Sequence, residues 1–209
     1  MSSHGGTPVT TVAELEQLVG SPLPRVRDKV DDRLREDHRR WLAESPLCFV
    51  ATAGADGRAD VSPKGDPAGF VHVLDDVTIA VPDRPGNKRV DGFRNVLVNP
   101  EVALIFVVPG RGDTLRVNGT ARLLRDVPYA EQMQVKGNVP SLVLEVSVRE
   151  VFMHCAKAFL RSRTWDPESW APDAVPRRAV LAHRLEAPDV PLSTLDEHYG
   201  PAYAERLYG

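Results

Sequence analysis

The sequence has only two cysteines, Cys48 and Cys155, in 209 residues, and no C-x-x-C spacing. That excludes a disulfide scaffold and a thiolate-built metal site, and it fits a reducing compartment. Charge of one sign is also lacking. The 26 basic side chains stand against 29 acidic ones, a net of −3, so nucleic acid is not an expected partner and any anion site must be local. Long hydrophobic runs are missing: stretches such as 102–109 are too short to span a bilayer, so no membrane partner is expected. The opening residues, MSSHGGTPVT, carry neither a basic nor an apolar signal region, and a cytoplasmic location is expected. Neither a Walker-type lysine loop nor a G-x-G-x-x-G occurs, which removes the common nucleotide loops.

What is present gathers around residues 77–100. Val77-Thr78-Ile79-Ala80-Val81 is β-branched and apolar, as a buried strand is. The strand stops at Pro82. Asp83-Arg84-Pro85-Gly86-Asn87-Lys88-Arg89 then packs three cations into positions 84–89 around a Pro-Gly turn. Val90, Phe93, Val96 and Leu97 recur at helical spacing, with Asn87 as the expected cap. Strand, cationic turn and helix start together aim guanidinium forks and free N–H groups at one place, which suits a phosphate. The bland alternative is a solvated basic loop.

The flanking chain supplies a mainly β frame. Thr11 to Glu14 has the spacing of a capping box before a helix ending near Gly20, and a second helix is predicted over 25–43. Residues 1–10 are expected to be disordered. Strands are predicted over 46–52, 58–64, 70–73, 101–108, 114–124 and 141–148. The run 101–108 is nearly continuous and predicts burial on both faces, whereas 114–124 alternates as a strand with one wet face does. A helix capped by Asp126 is predicted to 135, and a last one, capped at Ser193, over 192–208. The stretch 171–191 is proline-rich and loosely patterned. Strands at this spacing point to an antiparallel barrel or sandwich. His154 and Cys155 have no further ligand at a metal-site spacing, so no metal is expected. Cys155 reads as a buried structural cysteine, His38 as a packing histidine, and Trp165 and Trp170 as core or interface aromatics.

Five segments together resemble the pyridoxamine 5′-phosphate oxidase superfamily of FMN-binding split β-barrels, and a bacterial branch of it with undefined substrates. They are Val61-Ser-Pro-Lys-Gly-Asp66, Pro82 through Arg89, Asn99-Pro100, Thr114-Leu-Arg-Val-Asn-Gly119 and His154-Cys-Ala-Lys-Ala-Phe159. The resemblance implies a mainly β fold with flanking helices, an antiparallel split β-barrel, and a homodimer with flavin sites at the subunit interface. It implies FMN as cofactor. The phosphate would lie on Arg84, Asn87, Lys88 and Arg89 after the strand end at Pro82, with Ser62 and Lys64 on the neighbouring strand. Thr114 would lie near the ring system, and His154, Lys157 and Arg161 are candidates to reach the partner's flavin. The longer arginine motif and the C-terminal substrate-phosphate motif of the true oxidases have no clear counterpart. The expected activity is therefore flavin-mediated hydride or electron transfer with an undefined small molecule. The alternatives are an F420- or haem-binding protein of this fold, a flavin-binding module without turnover, or a basic-loop protein that binds another phosphorylated metabolite. The implied organisation is a helical extension (1–44), an FMN-binding barrel domain (45–165) and a proline-rich segment with a short helix (166–209).

Overall fold

Seven strands make one antiparallel sheet in the computed structural model, which describes residues 5–208. They are β1 (Leu47–Ala53), β2 (Ala59–Gly65), β3 (His72–Val73), β4 (Thr78–Pro82), β5 (Glu101–Val107), β6 (Thr114–Leu124) and β7 (Val143–His154). Their order is β2-β1-β5-β6-β7-β4-β3. The main core lies on one side of the sheet, and a smaller cluster of Ala80, Met133 and Val143 forms apart from it. In the main core Leu104, Phe106, Leu115, Val117, Val146 and Val151 are all fully buried.

The alternation read in β6 is present. Leu115, Val117 and Ala121 are buried, while Arg116, Asn118 and Thr120 face the other side. Burial of β5 on both faces is corrected: Val102, Leu104 and Phe106 are buried but Ile105 is 39% exposed, because no element among the described residues covers the second face there. β7 is longer than predicted. The polar pair Arg149-Glu150 masks its continuation, where the ladder with β6 slips by one residue between Asn118 and Gly119. Arg149 is the extra residue of a β-bulge. Gly119 is required opposite it, since a Cβ there would come within 2.0 Å of the Ser147 carbonyl oxygen.

Residues 5–10 take no regular structure, and residues 1–4, part of the stretch expected to be disordered, lie outside the described residues. The chain divides into two units, Met1–Val30 and Asp31–Gly209. The first holds α1 (Val12–Val19) and α2 (Pro24–Arg27). Thr11 Oγ1 accepts from the Glu14 N–H at 3.1 Å, as the capping spacing predicted, and α1 ends at Gly20 with φ 78. The helix predicted over 25–43 is two separate pieces. Asp31 leaves helical geometry to exchange backbone hydrogen bonds with Val151 at 3.0 and 2.8 Å. In the second unit, α3 (Glu36–Glu44) then buries His38, Trp41 and Leu42, and Trp41 Nε1 donates to the Phe106 carbonyl.

The helix predicted from Asp126 is only a 3-10 turn, Ala130–Met133. Asp126 has φ 56 and caps nothing. Side chains from the sheet hold the segment instead. Tyr129 donates to the buried Glu145, which also accepts from Arg122, and the Met133 carbonyl accepts from Arg84. Toward the C-terminus come α5 (Lys157–Ser162), α6 (Arg178–Leu185), α7 (Leu192–His198) and a 3-10 helix, Pro201–Arg206. The last predicted helix is thus split at Gly200-Pro201, and Pro191, not Ser193, sits at its N-cap. α6 was hidden by the surrounding prolines, and it buries only Ala179 and Ala182.

His38 packs as predicted. Its Nδ1 accepts from the Arg35 N–H at 3.2 Å, and burial, first, lowers its pKa. The neutral ring is the folded form, so its contribution is present above the unfolded value of 6.5 and is lost as pH falls below it. The unfolding free-energy gap between wild type and His38→Gln should therefore narrow from pH 7 to pH 5 in urea titrations; a constant gap would contradict the neutral ring. Gly119→Ala should lose about 3 kcal/mol in the same assay, because the clash is with backbone. An unchanged midpoint would show that the bulge yields.

Candidate functional site: a cationic turn over a cleft

β4 carries Ile79, Ala80 and Val81 through the core and ends at the fully buried Pro82. The chain then emerges as the turn from Asp83 to Arg89. Asn87 Oδ1 accepts from the Arg89 N–H at 2.9 Å, closing a side-chain turn. Lys88 follows in left-handed geometry with φ 61. Asn87 therefore shapes the turn and does not cap the helix: α4 (Asp91–Val98) begins later, with Val90 at an N-cap that makes no side-chain bond.

The turn walls a cleft of about 680 Å³, a volume in the range of small-molecule sites. β2 supplies the facing wall with Ser62, Pro63 and Lys64, and Val50, Phe70, Phe93, Val96 and Leu144 give it apolar lining. The sequence candidates Ser62, Lys64, Pro82, Arg84, Asn87, Lys88 and Arg89 all line this one cleft. The other four lie apart from it. Thr114 is buried directly opposite the exposed His154 on the β6–β7 ladder, and Lys157 and Arg161 are exposed on α5.

The cations play different parts. Arg84 is held inside the protein: Nε donates to Asp66 Oδ2 at 2.5 Å, Nη1 to the Asn138 carbonyl at 3.2 Å and Nη2 to the Met133 carbonyl at 2.5 Å. The side chains of the Arg84–Asp66 pair are 12% and 1% exposed. Lys64 Nζ donates to Asp83 at 2.8 Å and lies 4.4 Å from the Phe93 ring centre. Arg89 is mostly exposed and pairs with Asp91 at 2.5 Å. Lys88 is exposed and makes no ion pair among the described residues. The cleft thus presents Lys64, Arg84, Lys88 and Arg89 against Asp60, Asp66, Asp83 and Asp91.

Those carboxylates escaped the sequence reading. Asp91 had a signal, being two residues from the Arg89 it pairs with, whereas Asp83 pairs with Lys64, 19 positions away. Asp66 and its other partner, Tyr208, had none, since they are 142 positions apart. At the cleft's inner end the sequence also passed over a Thr52–Asn95 hydrogen bond of 3.1 Å beside Gly92. The two cysteines exchange roles. Cys155, read as buried, is exposed, and Cys48 is buried, with its thiol pushed up to about 12 by desolvation. Trp165 stacks on Phe159 at 5.8 Å, and Trp170 is 58% exposed. Among the described residues no group of three or more His, Cys, Asp or Glu could hold a metal ion, and no helix is long and apolar enough to cross a membrane.

The pyridoxamine 5′-phosphate oxidase family model matches residues 34–155, which takes in the sheet, the cationic turn and α4. The chain belongs to that family. No curated protein matches it. Among solved structures it is similar to a candidate pyridoxamine 5′-phosphate oxidase of Lactobacillus delbrueckii, at 27% identity and a TM-score of 0.46 over 58% of this chain and 95% of that one. It is also similar to an FMN-binding protein of Syntrophomonas wolfei, at 12% identity and 0.42 over 56% and 88%, and to an F420 reductase, at 19% and 0.40 over 58% and 98%. The family match alone carries the assignment.

Arg84→Ala should cost about 3–5 kcal/mol of stability, because it strands the buried Asp66 carboxylate. Lys88→Ala should change stability by less than about 0.5 kcal/mol. Chemical denaturation of the two variants checks the division; similar losses in both would refute it.

Proposed function

We propose that the cleft binds FMN, with its phosphate on the turn from Asp83 to Arg89, and that the protein is a cytoplasmic flavin-dependent oxidoreductase acting on a small molecule. The observation that carries this reading is the placement of the unpaired Lys88 and the exposed Arg89 at the lip of a cleft with apolar lining. A dianion needs mobile cations and N–H donors, and a flat ring system needs apolar walls. Both requirements are met by residues already in place, so the site fits the cofactor. Bound FMN would supply the hydride or electron capacity that no side-chain cluster of this chain provides. Lys88 and Arg89 would hold the phosphate. Lys64, between Asp83 and Phe93, would lend charge from the opposite wall. Val50, Phe70 and Leu144 would exclude water from the apolar part of the ligand. The two free cysteines fit a reducing compartment.

The same proposal takes the sheet to be a split β-barrel that pairs with a second copy as a homodimer. Across the open face, Phe49 is 38%, Ile105 39% and Val61 60% exposed. Beside them the buried Arg116 Nε and Asn118 Oδ1 have no hydrogen-bond partner among the described residues. An apolar face with orphaned polar atoms asks for a complementary surface. Thr114, His154, Lys157 and Arg161 would serve the partner's site from this side.

The test is a titration of the purified protein with FMN, followed by flavin fluorescence and the 300–500 nm spectrum. Wild type should bind FMN in preference to riboflavin. Lys88→Ala/Arg89→Ala should weaken FMN binding by about 100-fold, two charge-assisted bonds being worth about 1.5 kcal/mol each, and should leave riboflavin binding unchanged. Absence of FMN uptake would sink the reading and turn attention to F420 or haem. Binding without reduction by NAD(P)H or reduced F420 would identify a flavin-binding module.

A further inference from the structure

Tyr208 is remote from the cationic turn in sequence and meets it in the fold. Its hydroxyl donates to Asp66 Oδ1, while Asp66 Oδ2 takes the Arg84 Nε. The Tyr208 carbonyl accepts from Asn138 Nδ2 at 2.8 Å, and the Asn138 carbonyl accepts from Arg84 Nη1. The contacts therefore close a ring, Tyr208–Asp66–Arg84–Asn138. The Tyr208 aromatic ring also lies 5.9 Å from the Arg84 guanidinium and 5.8 Å from Lys136 Nζ. The hydrogen bond to Asp66, followed by burial, raises the Tyr208 pKa, so the phenol is a proton donor throughout the neutral range.

The ring of contacts has a mechanical meaning. A buried carboxylate bonded through one oxygen can turn about its terminal torsion and carry its arginine with it. With the second oxygen held by Tyr208, the carboxylate plane is fixed, and so is the direction in which Arg84 leaves it. Arg84 lines the cleft, and three of its five N–H groups are used by Asp66, Met133 and Asn138. It is also the second residue of the turn that carries Lys88 and Arg89.

We propose that Tyr208 is a positioning residue for the anion end of the cleft: through Asp66 it holds Arg84, and with it the root of the cationic turn, in the geometry that receives a phosphate monoester. The proposal rests on the FMN reading above. By linkage the effect is reciprocal, so a bound phosphate ester also steadies the docked segment around Tyr208.

The experiment compares wild type with Tyr208→Phe, which keeps the aromatic ring and removes the hydroxyl. Each is titrated with FMN and with riboflavin, which lacks the phosphate ester. FMN affinity should fall about five- to tenfold in the variant, the effect of one hydrogen bond to a charged group, with riboflavin affinity unchanged. Equal weakening of both ligands, or no change in either, overturns the proposal. If wild type binds neither flavin, the FMN reading has failed, and the positioning contact is judged separately in the ligand-free protein. Thermal unfolding of wild type, Tyr208→Phe, Arg84→Lys and the double variant then decides. Non-additive shifts in Tm would support action through Arg84, and additive shifts would overturn it.

Discussion

One buried ion pair, Asp66 with Arg84, is the fastening on which the cleft depends. Taking both charges out of water is costly, and an isolated pair of this kind contributes little net stability. Here the cost is offset by further bonds. Two backbone carbonyls take the remaining guanidinium edge, and a phenol hydroxyl takes the second carboxylate oxygen. The product is placement more than stability. The end of β2, the start of the cationic turn, the 133–138 segment and Tyr208 are drawn to one point, and the cleft's outer wall hangs from it.

Around that point the molecule separates rigidity from reach. The β6–β7 ladder, with its bulge at Gly119, runs through the centre of the sheet and fixes the positions of β4 and β5 on either side. α4 then crosses from the β4 half to the β5 half, and its first turn forms one end of the cleft. Reach belongs to Lys88 and Arg89, exposed long side chains on a short turn whose backbone is set by Pro82 and the Asn87 side-chain bond. In the binding mode proposed above, these two would grip the ligand without disturbing the core.

Much of this was legible in the sequence because it depends on neighbours along the chain. The β-branched run before Pro82 and the alternation of 114–124 are local signals, and each yields the predicted element; the turn expected at Pro85-Gly86 forms instead at Asn87-Lys88, where Lys88 and not Gly86 takes the positive φ. Seven of the eleven candidate residues converge on one cleft for the same reason, since they belong to two short segments flanking adjacent turns. What was not legible depends on tertiary competition. The 126–135 segment has helical spacing, but Tyr129 and Met133 are bonded to Glu145 and Arg84 before a helix can form. The 25–43 helix breaks because Asp31 gains two backbone bonds to Val151. Arg84 looked like a free cation because nothing near it in sequence announces Asp66 or Tyr208 as its partners.

The balance of charge inside the cleft has a kinetic consequence. Four cations face four carboxylates, so the cleft projects almost no field beyond its mouth, and the whole chain at −3 adds none that would draw in an anion. Such a balance gives little electrostatic steering, and a phosphorylated ligand of the kind proposed would arrive at about the pace of an uncharged one. If the cleft takes the phosphate proposed above, selection for the anion would be made on contact, with phosphate oxygens replacing Asp83 and Asp91 as partners of Lys64 and Arg89. Salt in solution would then act mainly on how long such a ligand stays and little on how fast it comes.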